Sequence, residues 1–487
     1  MKKILLISLM FLTVPFFVYA QDDYNDSGGE ARNSLYNEYT SADEEAGVAE
    51  DENDAPAKPD KAAATLRTGK RESRRYFEFG ILNLNLTLLG LDMGNLLKGQ
   101  LFDFNGFDPS KINDFSADVG IFTNPIYFKV SVKDSFNLDF FTGADFKANF
   151  DLPSKTIDTL TGLKDMVNTP PPEFDPEGDI GAAFNDYMAQ LDAYMATLQD
   201  IDASMSASVS MFAEMGLGVS KTFFNNRLYI RAAPSLFFTL LYMEQSAANL
   251  KGYNNKDNEY GLQGDGIMKL YSAWDLDKDV NPFSSPGVDL TLEACYALLP
   301  ILDTGISVSH IPVIPSTLNH SKSIDVSGVT MNVKVPSSPE ELADQIINKQ
   351  DNPVNINIPE TEDLMKDSDD ENKQVRRPTR FDLYALVKPF KSPVLVVRPD
   401  VGLTINSSLA PMLFNWALDV QFNAPKIFSA FAGTGLTETV WMQRAGIILD
   451  FRAFEVDIAA ALTGKTFLDC FSDQKGLSLG IGFKLGF

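Results

Sequence analysis

The residue types able to do acid–base or nucleophilic chemistry are scarce in this chain of 487 residues, which has two histidines and two cysteines. A hydrolase would need His310 or His320 beside a serine, with a third group to orient the ring. Ser309 adjoins His310, but neighbours on a strand point to opposite faces, and Ser307 falls on the wrong face as well. There is no H-E-x-x-H, C-x-x-C, phosphate loop or nucleophile elbow. The acidic run Asp367, Asp369, Asp370 and Glu371 has oxygen ligands for calcium, yet it lacks the glycine and the final glutamate spacing of a calcium loop. The sequence therefore assigns no catalytic, metal or cofactor site and predicts that the protein is not an enzyme. Cys295 and Cys470 could pair, but two cysteines do not make a disulfide framework.

What remains is a pattern of faces. The stretch 476–487 reads GLSLGIGFKLGF: Leu477, Leu479, Ile481, Phe483, Leu485 and Phe487 alternate with glycine, serine and lysine. Such a period of two makes one face of a strand apolar and leaves the other small or charged. In the same way Phe136, Leu138, Phe140, Ala144, Phe146 and Phe150 alternate with Asn137, Asp139, Asp145, Lys147 and Asn149. Charges repeated along one face of a long strand require water on that side.

The first 20 residues carry Lys2 and Lys3, an apolar run and Val18-Tyr19-Ala20, the form of a secretory signal peptide cut before Gln21. Residues 21–75 read as a disordered arm. Its first part, 21–60, holds 13 Asp or Glu, and 61–75 is basic. The formal net charge of −25 argues against nucleic acid as a partner. Beyond residue 20 no apolar run is long enough for a membrane helix.

From residue 76 onward, seventeen candidate strands appear, with a bulge expected near Gly80, where the apolar parity changes. A bilayer leaves no backbone group unpaired, so strands can cross it only as a closed barrel. The expected fold is all-β: a transmembrane antiparallel β-barrel of 14–16 strands over 76–487. Two interruptions break the series. In 151–204, Phe184, Tyr187, Met188, Leu191, Tyr194 and Met195 recur at helical spacing behind Asp179 as a cap. This helical insertion packs on the barrel rim or enters the lumen as a gate. The second, 336–378, reads as a long acidic loop with a short helix capped by Ser338 and Glu341. Inward candidates for a lumen include Asp139, Asp145, Lys147, Arg231 and Glu293.

The last strand with its terminal phenylalanine resembles the assembly signal of Gram-negative outer-membrane β-barrels. The chain's size, its helical insertion and Ser309-His310-Ile311-Pro312-Val313-Ile314-Pro315 are similar to uncharacterised spirochaete barrels, some of them compared with long-chain fatty-acid transporters. The resemblance implies an integral protein of the cell outer membrane, assembled by the barrel-assembly machinery with periplasmic chaperones and surrounded by outer-membrane lipids. Charged inward faces favour a porin-like channel for small solutes. A transporter of hydrophobic molecules such as fatty acids, and a structural or ligand-binding surface barrel, are the alternatives. After carbonate or urea washing of cells, the protein should stay in the membrane fraction; recovery in the soluble fraction would contradict the barrel.

Overall fold

The computed structural model describes residues 77–486, apart from 90–114, 133–135, 153, 170–174, 176–177, 199–202, 225–226, 255–258, 276–284, 349–353, 358–364, 369–371, 393, 425–427, 452 and 472–475. The proposed signal peptide, the arm at 21–75 and Phe487 lie outside the described residues. The strands begin with β1 (Phe77–Leu89), β2 (Phe115–Thr123), β3 (Ile126–Val132), β4 (Phe136–Leu152), β5 (Ala203–Phe223) and β6 (Leu228–Asn254). There follow β7 (Glu259–Asp265), β8 (Ile267–Ser272), β9 (Pro286–Leu299), β10 (Leu302–Ile314), β11 (Ser316–Leu318) and β12 (His320–Asp325). Next come β13 (Thr330–Lys334), β14 (Val354–Asn357), β15 (Met365–Asp367), β16 (Lys373–Val375), β17 (Thr379–Val387) and β18 (Leu395–Ile405). The chain closes with β19 (Met412–Ala424), β20 (Phe428–Thr437), β21 (Val440–Asp450), β22 (Phe454–Gly464) and β23 (Gly476–Gly486). Three helices interrupt them: α1 (Ser154–Asn168), α2 (Ile180–Leu198) and α3 (Pro339–Asn348).

The wall runs from β1 through β2 and β3 to β4, β5, β6, β9 and β10, then through β17 to β23, every contact antiparallel. It closes where Glu78, Phe79 and Gly80 pair with Gly486, Leu485 and Lys484. β2 and β3 share both neighbours and count as one wall strand, which makes fourteen. Three of the seventeen sequence candidates are thereby accounted for. Two of them join as β2 and β3, and the segments at 260–273 and 323–333 lie outside the wall as β7, β8, β12 and β13.

The faces are inverted relative to a soluble protein. On β19, Phe414, Leu418, Val420 and Phe422 are between 41% and 53% exposed, whereas Asn415, Asp419, Gln421 and Asn423 are at most 4% exposed. An apolar exterior around a polar interior is the arrangement that hydrocarbon demands. The terminal strand obeys it: Leu479 and Ile481 are exposed, Leu477, Phe483 and Leu485 half-buried, and the alternate residues buried.

Beyond Phe238, β6 leaves the wall and continues as the spine of an extension. A register shift between Met211 and Phe212 turns Leu241 and Met243 to the side of Met211. β7 and β8 pair with this spine, β13 and β12 pair with them, and β14 and β15 complete the sheet. Its core is rich in methionine: Met205, Met243, Met268 and Met331 are buried among Leu241, Leu250, Leu262 and Leu270. Methionine fills irregular space readily because its side chain is unbranched and flexible.

The helices extend this core. Asp179 caps α2, its carboxylate accepting from the Ala182 amide at 3.1 Å. Leu191 and Met195 pack with Leu163 of α1 and with Tyr260 and Val333 of the extension sheet, with Met188 and Tyr194 alongside. Tyr187 is buried and Phe184 half-buried. Within 336–378 the short helix expected behind Ser338 forms as α3, and the rest, read in the sequence as an acidic loop, also holds β14, β15 and β16. Short strands escape notice there because their pairing partners, not their own composition, hold them in place. Ser338 Oγ accepts from the Glu341 amide at 3.2 Å, and Glu341 accepts from the Ser337 amide at 2.8 Å. The Ser337 hydroxyl and amide hold the Glu341 carboxyl below the usual carboxylate range. Cys295 and Cys470 are both buried, and no disulfide joins them.

Replacing Leu191 with alanine should cost the helical cover about 2–5 kcal/mol. Limited proteolysis in detergent should then cut within 151–204 while the barrel stays intact; cutting no faster than in the parent would contradict this packing.

Candidate functional site

Two charge pairs on the inner wall reach across an intervening strand in the same way. Asp139 on β4 and Arg231 on β6 meet at 2.6 Å, with a whole strand, β5, between them. They can meet because Gly218 of β5 faces inward there; a Cβ at that position would collide with the Asp139 carboxylate. Arg231 also stands 5.8 Å over the Phe141 ring. The arrangement recurs across β20, where Arg444 donates twice to Asp419 at 2.8 and 2.6 Å over Gly433. It appears a third time across β10, where the Tyr384 ring lies on Gly305 and its hydroxyl reaches Glu293 at 3.3 Å. Arg398 stacks 4.5 Å from that same ring and pairs with Asp400 at 3.0 Å. Lys388 and Asp303 close the short-turn end at 2.7 Å. Buried charges are tolerated only when compensated, and each of these is.

Toward the mouth the interior becomes apolar. Phe212, Phe237 and Tyr242 point inward and enclose Leu318 of β11 and Val375 of β16, both buried. β11 and β16 form a two-stranded ribbon separate from the main sheet. Just after it, Arg377 is buried against Glu214 of β5 and, at 3.4 Å, Asp289 of β9, which also accepts from Ser235. Above the ribbon lies a cavity of about 700 Å³ bordered by Tyr242, Glu244, Gln245, Gln374, Arg376 and the 406–411 turn. The Gln245 amide donates to the Ser408 carbonyl at 2.8 Å, tying that turn to β6.

The wall has a seam between β2 and β3. Thr123 pairs with Ala144 and Tyr127 with Phe141, so three residues, 124–126, stand opposite two, 142 and 143. Pro125 has no amide hydrogen to give the ladder. Side chains close the gap instead. The Thr142 hydroxyl accepts from the Ile126 amide at 3.2 Å and donates to its carbonyl at 3.3 Å. The Asn124 amide, with its nitrogen turned toward them, donates to the Ile126 and Thr142 carbonyls at 3.0 and 2.7 Å. The seam also switches parity: Phe122 and Gly120 face inward on β2, but Tyr127 and Lys129 do so on β3. Next to it, the pairing of β1 with β23 shifts between Gly80 and Asn83, where the sequence places a bulge.

Of the residues singled out by sequence, Asp139 and Arg231 meet each other and Glu293 meets Tyr384. Lys147 reaches Glu438 at 3.2 Å, and Asp145 faces inward opposite Phe212. The α2 stripe belongs to the extension core. His310 lies in a bulge with φ 54° between Val308 and Ile311, which buries it together with Ser309, whereas His320 is exposed at the start of β12. Among the described residues no three His, Cys, Asp or Glu side chains gather as metal ligands. Sequence reading missed Glu214, Tyr384 and Arg377. The available signal was glycine at inward positions between charged strands, and Arg377 read only as the basic tail of an acidic stretch.

These features define a class: the chain is a closed, fourteen-stranded β-barrel, integral to the outer membrane. No protein-family model and no curated protein matches it. Among solved structures it is similar to the Ralstonia pickettii toluene transporter TbuX, at 9% identity and a TM-score of 0.41, covering 85% of this chain and 90% of that one. It is also similar to a Pseudomonas aeruginosa FadL homologue (9%, 0.40, 84% and 89%) and to the Pseudomonas putida toluene transporter TodX (10%, 0.38, 84% and 89%).

Gly218→Val should force Asp139 away from Arg231 and destabilise the barrel by about 3–5 kcal/mol, the usual loss when a buried pair is broken. In an Asp139→Ala background the same valine should cost far less, since the side chain it displaces is gone. Gel mobility against temperature reads both; equal costs in the two backgrounds would refute the glycine's role.

Proposed function

We propose that this barrel passes hydrophobic molecules between its mouth and the surrounding bilayer. The observation that carries the reading is the seam at Asn124–Pro125, where side chains replace the backbone ladder. Everywhere else along the wall, parting two strands means breaking a run of backbone bonds in hydrocarbon, which is prohibitive. At the seam, rotation of Asn124 and Thr142 would free residues 124–126 from β4 and open a gap between the two ladders that stay paired on either side.

Two features point to an apolar cargo. Phe212 lies two strands from the seam, roughly 10 Å at normal strand spacing, and two residues from Glu214, which pairs with Gly143 beside the seam. An apolar surface thus meets the seam at the same height, with the Glu214 side chain over Gly143 between them. In addition, the inward charges named above neutralise each other instead of presenting a field to a polar solute. A small-solute channel would draw selectivity from charged rings open to the passage. Small-solute passage remains the competing outcome of the test.

Cysteines introduced at Asn124 and Thr142 and oxidised should staple the seam. Transfer of a fluorescent fatty acid into the bilayer of proteoliposomes should slow, and reduction should restore it. Equal transfer with and without a formed bond would overturn the reading. Ionic conductance without any lipophile transfer would favour the small-solute channel.

A further inference from the structure

We infer that the ribbon of β11 and β16 is a movable gate on the inner face of the barrel and that Arg377 is its latch. This deepens the transport reading and rests on it only in treating the lumen as a route. β10 and β17 are wall partners up to Ser309 and Arg380. Beyond that level each reaches a proline, Pro315 and Pro378, and the chain turns into the ribbon, where Ser316 pairs with Val375. Proline ends a ladder because it cannot donate. The ribbon has three residues on each side, too few for backbone bonds alone to hold it.

Three sets of contacts hold it. Leu318 and Val375 sit on Phe212, Phe237 and Tyr242. The Ser285 hydroxyl accepts from the Thr317 amide at 2.7 Å, and the Ser316 hydroxyl donates to the Ser285 carbonyl at 2.7 Å. Arg377 supplies the third, and its reach is unusual. The pairs over Gly218 and Gly433 link strands two places apart, whereas β17 stands four places round the wall from β5. Arg377 therefore spans an arc of the lumen to reach Glu214, meets Asp289 on the way and lies 5.9 Å from the Phe237 ring. A guanidinium suits this task because it can serve two carboxylates at once and keeps its charge.

The latch makes the gate two-state. Held, the guanidinium and both carboxylates are buried and compensated; released, all three must be hydrated, so intermediate positions strand an unpaired charge. The ribbon is also the neck of residues 319–372, which carry β12 to β15 and α3. Any shift of that part of the extension acts directly on the ribbon.

The test is ionic conductance of the full-length protein in planar bilayers. Arg377→Gln should raise open probability several-fold over the parent, Glu214→Gln should raise it less because Asp289 remains, and Arg377→Lys, which keeps the charge but loses the fork, should fall between the parent and Arg377→Gln. Lys251→Gln, which breaks an exposed pair with Asp265 on the extension and touches neither the lumen wall nor the ribbon, should leave conductance unchanged. Should Arg377→Gln fail to insert, Glu214→Gln decides. A cysteine at Val375, buried in the parent, should then react with a membrane-impermeant maleimide faster when Glu214 is glutamine. Parent-like conductance and labelling in the folded variants would overturn the gate, as would an equal rise in Lys251→Gln. Stapling the seam reads lipophile transfer, not conductance, so failure of the gate and failure of the cargo reading are distinguishable.

Discussion

The structure depends on one constraint: the hydrogen-bond ring must close. β1 meets β23 through Glu78, Phe79 and Gly80, and this contact leaves the wall with no edge strand. In hydrocarbon an edge would expose amides and carbonyls that nothing can satisfy. Closure fixes the sense of every side chain, because a strand with neighbours on both sides cannot slip by one residue without turning its apolar face inward. The apolar exterior and charged interior of β19 follow from it, as does the same inversion in β23.

Closure creates the second problem, which is what to do with charge inside. The chain carries a net charge of −25, yet the inner wall balances its carboxylates locally. Pairing across a glycine does this without filling the axis. Asp139 and Arg231 lie flat over Gly218, Asp419 and Arg444 over Gly433, and Tyr384 over Gly305 on its way to Glu293. Each such contact ties three strands together, which stiffens the wall from within. The glycines are structural here because they lack a side chain on the inner face, not because of any unusual backbone angle.

Much of this was legible in the sequence, and the part that was not has a physical cause. Alternation marked nearly every wall strand, since a half-wetted face forces a period of two. It could not show that 113–122 and 126–133 are one strand, because the parity reverses at Asn124–Pro125 and each half is regular by itself. Nor could it separate β7, β8, β12 and β13 from the wall: a strand of the extension alternates as well, with methionines facing a protein core instead of lipid. Inward charges such as Asp139, Arg231 and Glu293 could be named from parity, but their partners depend on which strands adjoin. Arg377 was hidden more deeply. Its role comes from a ribbon of three-residue strands whose sequence shows no alternation long enough to read.

The seam and the latch meet at one residue. Gly143, beside the seam on β4, is the register partner of Glu214 on β5, and a Cβ on Gly143 would stand 2.8 Å from the Glu214 carboxylate. The carboxylate that receives Arg377 therefore occupies the space that a side chain next to the seam would have filled. If the seam parts, β4 moves relative to β5 and the support under Glu214 changes; if Arg377 withdraws, Glu214 is left charged beside a glycine with nothing to cover it. The two weakest points of the closed wall, one in its ladder and one in its interior, are thus in mechanical contact. A barrel whose only task was to stay closed would gain stability from a continuous ladder at 124–126, and this chain breaks it there.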